Sequence, residues 1–182
     1  PEISASQNIN EMGGDLATCL VVTEAGAETI ASDLDLVFAC PYQEGGGIAM
    51  RIVLLRSRDH GASYRFVATL LEPSDAAPYG GTHFSAPDIT RDGDRILLFV
   101  TPESGEAYQG CVVFEFEDRV AGELRRGADG RPLPLVVLAT LGGRFGGACG
   151  WDTGAPSVLI SQLMAEGDPV DPFRIFATGF RP

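Results

Sequence analysis

Lysine is missing from this chain. All 13 basic residues are arginine, and they stand against 25 aspartates and glutamates for a formal net charge of −12. No basic stripe is present, so a nucleic-acid phosphate backbone is excluded as a partner, and an anionic membrane surface is disfavoured. The acidity reads as a solubility device. Histidine is nearly missing too: with 2 in the chain, a histidine-rich metal site is excluded. His60 falls in a turn signal, which leaves only His83 and no Ser-His-Asp arrangement. No apolar run approaches the roughly 18–20 residues that span a bilayer. The four cysteines, Cys19, Cys40, Cys111 and Cys149, lack the short paired spacings of a zinc site. "GGRFGG" is glycine-rich but lacks the Lys-Ser/Thr ending and the following helix of a phosphate loop. Neither a metal nor a cofactor is expected. The cysteines fit two disulfides in an exported protein, for example Cys19–Cys40 between neighbouring strands, or four buried thiols; both readings stand. The chain opens at Pro1, with no signal peptide, and reads as a processed chain or an excised piece.

What the sequence holds instead is strands. Its 182 residues suit one domain, and 45% hydrophobic content suits a real core. The 23 glycines and 12 prolines favour many short strands over long helices. The clearest helical candidate, "SQLMAEG", is too short to be stable alone. Apolar, β-branched and aromatic runs lie at 16–23, 34–40, 48–55, 64–71, 85–90, 95–101, 111–117, 133–140, 155–161 and 173–178, with Gly, Pro, Asp and Ser between them. In "CVVFEFE" the alternation sets Glu115 and Glu117 on one face and Phe114 and Phe116 on the other.

These strands repeat. Ala17, Ala86 and Ala155 each open an apolar strand and lie 69 residues apart. Two groups, at about 14–83 and 84–147, supply four strands each, and a third, at about 148–182, supplies fewer. Four antiparallel strands per repeat, in chain order, make a blade. The expectation is an all-β, β-propeller-like array of about two and a half blades over residues 1–182. A closed ring typically takes four to eight blades, so further blades or another chain are expected to complete it. A β-sandwich is the alternative architecture.

"SRDHGASY", between the strand candidates at 48–55 and 64–71, resembles the Asp-box of sialidases and related propellers, Ser/Thr-x-Asp-x-Gly-x-x-aromatic. Ser57, Asp59, Gly61 and Tyr64 match. The physical reading is local: Asp59 accepts backbone N–H groups of its own turn, Gly61 takes a positive φ, and Tyr64 packs beside the hairpin. The resemblance implies a junction between the third and fourth strands of a blade, which is where the repeats place it. Asp59 is then a turn fastener and not a catalyst. "SAPDITRDGDRILLFVT" is similar to the blade openings of five-bladed glycoside hydrolases. That resemblance implies a place for Asp88 at the active-site mouth, where the matching aspartate supports the acid and base carboxylates; no matched pair for those two is evident. Phe173-Arg174-Ile175-Phe176 resembles the arginine motif of sialidases without its proline. Arg174 equally fits an ordinary half-exposed strand residue.

In a propeller the first strands and the residues before them gather near the axis. Two such segments combine glycine, aromatic and polar residues: Tyr79 to Asp88 and Arg144 to Gly154. From them come the expected catalytic carboxylates, Asp88 and Asp152, and the expected substrate-binding residues His83, Arg144 and Trp151, with Arg174 as a further anion holder. Trp151 suits stacking on a sugar. Each also has a plain structural reading: a loop hydrogen bond for His83, core filling for Trp151, an Asx turn for Asp152. The expected function is a sialidase-like, carbohydrate-binding or glycoside-hydrolysing propeller, secreted, periplasmic or at the cell surface. The alternative is a non-catalytic propeller that binds protein.

Overall fold

The computed structural model describes Cys19 and residues 24–105, 107–139, 145–152, 158–164 and 173–179. They form thirteen strands and one 3-10 helix. The first blade is β1 (Ala25–Ile30), β2 (Asp33–Glu44), β3 (Gly47–Ser57) and β4 (Arg65–Leu71), each antiparallel to the next in chain order. After a 3-10 helix at Pro73–Tyr79 comes the second blade. It runs β5 (His83–Asp92), β6 (Arg95–Ser104), β8 (Gly110–Asp118), β10 (Pro134–Ala139), again antiparallel in order. Two short strands decorate it: β7 (Ala107–Tyr108) beside β6, and β9 (Glu123–Leu124) beside β8. A third group holds β11 (Phe145–Asp152), β12 (Val158–Met164) and β13 (Phe173–Gly179). The pair Phe145–Tyr108 joins β11 to β7, so the second and third groups share one hydrogen-bonded seam.

The array is therefore all-β and propeller-like, and a two-sheet sandwich is set aside. Three groups of strands, the second and third continuous through the β7–β11 pair, pack against one another, with the first strands β1, β5 and β11 brought side by side. Apolar side chains fill the spaces between blades. Ile30, Val37, Ile52, Leu54, Phe84, Ile89, Leu98 and Phe114 close the gap between the first and second. Leu97, Phe99, Val113 and Cys149 close the gap between the second and third. The other face of the first blade buries Leu36, Phe38, Val53, Leu55 and Tyr64. Strands buried on both faces lose the in–out alternation that a half-exposed strand would show. Val37 through Cys40 are fully buried without a break.

Besides the two-residue β7 and β9, two strands fall where the sequence analysis placed none. β1 reads "AGAETI", with β-branched residues only at its end, and β11 "FGGACGWD", with none. The segment "SQLMAEG" contributes Ser161–Met164 to β12, which is paired on both sides, by β11 and β13. The candidate strand at 16–23 and the repeat openers Ala17 and Ala155 lie outside the described residues, Cys19 excepted.

The cysteines form two disulfides, Cys19–Cys40 and Cys111–Cys149. The first ties the chain ahead of β1 to β2. The second joins the third strand of one blade to the first strand of the next. The four-thiol reading is thereby corrected: each sulfur meets another across a core already packed by hydrophobic neighbours.

Candidate functional site

The site is built on the inner edge of β5. First strands of neighbouring blades do not share a backbone ladder, so their inner N–H groups need other partners. Here they come from two glutamates four residues apart, Glu24 just ahead of β1 and Glu28 within it. Glu24 accepts the Ala86 N–H, and Glu28 Oε2 accepts the Arg91 N–H at 3.3 Å. Between them sits Gly26. A methyl group there would lie 2.6 Å from Asp88 Cα and 2.6 Å from its Oδ1, so only glycine lets the two backbones meet.

Ala86 carries φ 46°, in the left-handed region, and the β5–β6 register slips between Ser85 and Asp88. This is a β-bulge at the innermost strand. Bulges and non-glycine residues at positive φ are costly and re-aim the side chain that follows. The side chain re-aimed here is Asp88. Its Oδ1 accepts the Ile89 N–H at 2.9 Å. A methyl group on Gly150 of β11 would stand 3.4 Å from its Oδ2. The carboxyl is thus enclosed between glycines of the two flanking blades. Burial raises its pKa above the ordinary aspartate value, the Ile89 N–H opposes that rise, and the nearby Glu28 charge adds to it.

At the N-terminal end of β5 lies a second polar group. His83 Nε2 is 3.5 Å from Glu103 Oε2, and its Nδ1 is 3.2 Å from Thr82 Oγ1. Thr82 Oγ1 also donates to the Glu103 carbonyl at 3.1 Å. Tyr108 pairs with Glu103 across β6–β7. Burial, followed by the charges of Glu103 and Glu24, pushes the Tyr108 phenol above its usual range. His83 is therefore fixed between two polar neighbours at the rim, with Asp88 further along the same strand.

Of the expected site residues, β5 carries His83 and Asp88. Trp151 and Asp152 end β11, where their backbones pair with Leu159 and Val158; their side chains lie outside the described residues. Gly150 beside Asp88 puts this end of β11 next to β5. Arg174 is on β13, opposite Leu163, two strands out from β11. Arg144 lies outside the described residues. Sequence reasoning missed Glu24, Glu28, Glu103 and Tyr108. The signal for the first two was present: Glu24, Gly26 and Glu28 alternate, which is one face of a strand once 25–30 is read as one.

The turn 57–64 lies away from this site, between β3 and β4. Ser57 Oγ donates to Asp59 Oδ1 at 2.7 Å and accepts the Gly61 N–H at 2.8 Å. Asp59 accepts the Ser63 N–H at 2.8 Å and the Ser63 hydroxyl at 2.5 Å. Those bonds, Ser63 first, hold the Asp59 carboxyl down at about 2. His60 and Gly61 both take positive φ, and Tyr64 is buried against Leu36, Phe38 and Leu55. The Asp59 carboxylate is consumed by its own turn.

No family model matches the chain, and no curated protein matches it in sequence. Its fold resembles solved five-bladed propeller glycoside hydrolases. A mutant Bombyx mori GH32 β-fructofuranosidase in complex with sucrose superposes with a TM-score of 0.58 at 17% identity, over 85% of this chain and 32% of that one. A Xanthomonas citri GH43 enzyme complexed with xylotriose gives 0.53 at 13% identity, over 78% and 39%. An exo-β-1,3-galactanase from Clostridium thermocellum gives 0.51 at 13% identity, over 84% and 33%. The chain spans about a third of the length of these enzymes. At such identities the likeness is one of fold: consecutive four-stranded blades around a shared line of first strands.

Proposed function

We propose that this chain is part of a carbohydrate-active propeller, with its sugar site at the first strands and Asp88 as the central carboxyl. The observation that carries the reading is the bulge at Ala86, which turns a half-buried aspartate into a slot flanked by Gly26 and Gly150. A carboxyl whose burial makes it hold its proton to higher pH is suited to donate to a glycosidic oxygen or to hold a neighbouring carboxylate in its working state. Asp152, from the neighbouring first strand, is the second carboxyl of the proposal. Hydrolysis by such a pair needs a separation of roughly 5–10 Å. His83, Trp151, Arg144 and Arg174 are the proposed contacts to substrate. The five-bladed glycoside hydrolase resemblance is favoured over the sialidase one, because the similar solved structures are of that kind. Two disulfides fit an oxidising compartment, so a secreted, periplasmic or surface location is part of the proposal, as is completion of the ring by further blades or another chain.

A non-catalytic scaffold is the second reading. Glu24, just ahead of β1, and Glu28, within it, are both spent on backbone N–H groups of β5. Hydrolysis of a panel of aryl fructosides, xylosides, galactosides and sialosides separates the two. The proposal expects turnover of at least one substrate, with Asp88→Ala and Asp152→Ala each lowering kcat by about 10²–10⁴-fold. No turnover on any, with glycan binding untouched by Asp88→Ala, supports the scaffold.

A further inference from the structure

The turn between β3 and β4 has a property its fastening role does not explain. Arg56 and Arg65 stand directly opposite one another in the β3–β4 register. Like charges in that relation destabilise a strand pair. Arg56 is answered on its other side, where Nε donates to Asp35 Oδ1 at 2.6 Å and Nη2 to Asp35 Oδ2 at 3.1 Å. Arg65 has no such answer, nor does Arg58 in the turn: neither makes an ion pair or a side-chain hydrogen bond among the described residues. The carboxylate within reach, Asp59, is saturated by Ser57 and Ser63. Three arginines thus converge in a chain whose net charge is −12, with one acid between them already in use.

They converge on a cavity of about 520 Å³, at the outer seam between the first and second blades. Asp59 and Ser63, hydrogen-bonded to each other, also line it, and the rest of the lining is apolar: Phe66 and Val67 from β4, and Val120 from the turn after β8. Val120 is 63% exposed, an apolar side chain left open to solvent beside the arginines. A volume of this size suits a small ligand. Guanidinium forks bind a planar oxyanion through paired N–H groups, and the apolar wall accepts what the oxyanion is attached to.

We propose that this seam pocket binds a small carboxylic acid with an apolar or aromatic body. Arg58 and Arg65 hold the carboxylate, and Phe66, Val67 and Val120 hold the body. The site uses third and fourth strands and is separate from the first-strand site around Asp88. It stands whether or not the carbohydrate reading does.

Titration of the full chain with benzoate, benzyl alcohol and inorganic sulfate, followed by calorimetry or NMR shifts, tests it. Benzoate is expected to bind saturably and more weakly as salt is raised. Benzyl alcohol and sulfate are each expected to bind at least tenfold more weakly. The double variant Arg58→Gln/Arg65→Gln is expected to lose benzoate at least tenfold while melting at or above the wild type in chloride buffer. Val120→Asp, at an exposed turn position, gives a second variant with the same expected loss. Equal affinity for benzyl alcohol overturns the role of the arginines. Equal affinity for sulfate overturns the role of the apolar wall. Unchanged benzoate affinity in both variants overturns the site.

Discussion

Asp88 shows how one residue is set by its neighbours on either side. Glycines at 26 and 150 allow it to be enclosed, and the bulge at Ala86 aims it. Enclosure carries a stability cost that depends on pH. Its folded pKa is raised above the ordinary aspartate value, burial being the main cause. Below that value folded and unfolded chains both hold the proton, and the cost is absent. As pH rises through the folded pKa, the folded carboxylate must form in a poorly hydrated slot, and stability is lost relative to a neutral side chain. Asp88→Asn is therefore expected to melt like the wild type at pH 3 and above it at pH 7, with the gap widening between. Melting temperatures across that range check the sign. A gap of the opposite sign would place Asp88 in a solvated or ion-paired setting. The same substitution is expected to abolish the proposed turnover, so stability and activity move in opposite directions.

Charge pairs separate the elements that matter for cohesion from those that do not. The turn after β8 is pinned to the first blade by a buried network. Arg56 donates to Asp35, to the Val120 carbonyl at 3.1 Å and to the Arg119 carbonyl at 2.7 Å, and Arg119 Nη1 donates to Asp35 Oδ2 at 2.9 Å. Asp35 is 0% exposed and Arg56 5%. Arg56→Leu leaves that acid half-answered and is expected to cost about 3–5 kcal/mol. Arg125 and Glu117, 3.1 Å apart on the surface, contribute within about 1 kcal/mol, so Glu117→Ala is expected to be near neutral. Denaturant midpoints at constant slope measure both. Strand legibility divides along related lines. β2, β3, β6 and β8 announce themselves by apolar runs such as "LDLVFAC" and "RILLFVT". β1 and β11 do not, because first strands crowd one another and the crowding selects glycine at 26 and 150 over β-branched residues. The site was legible through Asp88 and His83, which sit in a strand with a clear opening. Glu24 and Glu28 were hidden because their strand was hidden. The buried state of Glu115 was invisible to alternation alone: Arg95 and Arg125 answer it from other elements, at 3.2 and 3.4 Å.

Across the molecule the blades are joined by apolar seams and by one covalent staple. Cys111–Cys149 spans the second and third groups with a sequence separation of 38. By loop-closure entropy its loss, in Cys111→Ser/Cys149→Ser, is expected to cost about 4 kcal/mol. Thermal melting with and without reductant checks this; a wild type indifferent to reductant would contradict it. The seam network around Asp35 has a consequence for how the chain is made. Asp35 and Arg56 are 21 residues apart, while Arg119 follows Asp35 by 84. The first blade can close its own hairpins as soon as they are synthesised, yet its interior acid awaits its second arginine. At the roughly 5–20 residues per second of translation, the 63 residues between Arg56 and Arg119 take about 3–13 s. For that interval the first blade stands with one flank unclosed, and the second blade's arrival, more than its own formation, commits the pair to the native state.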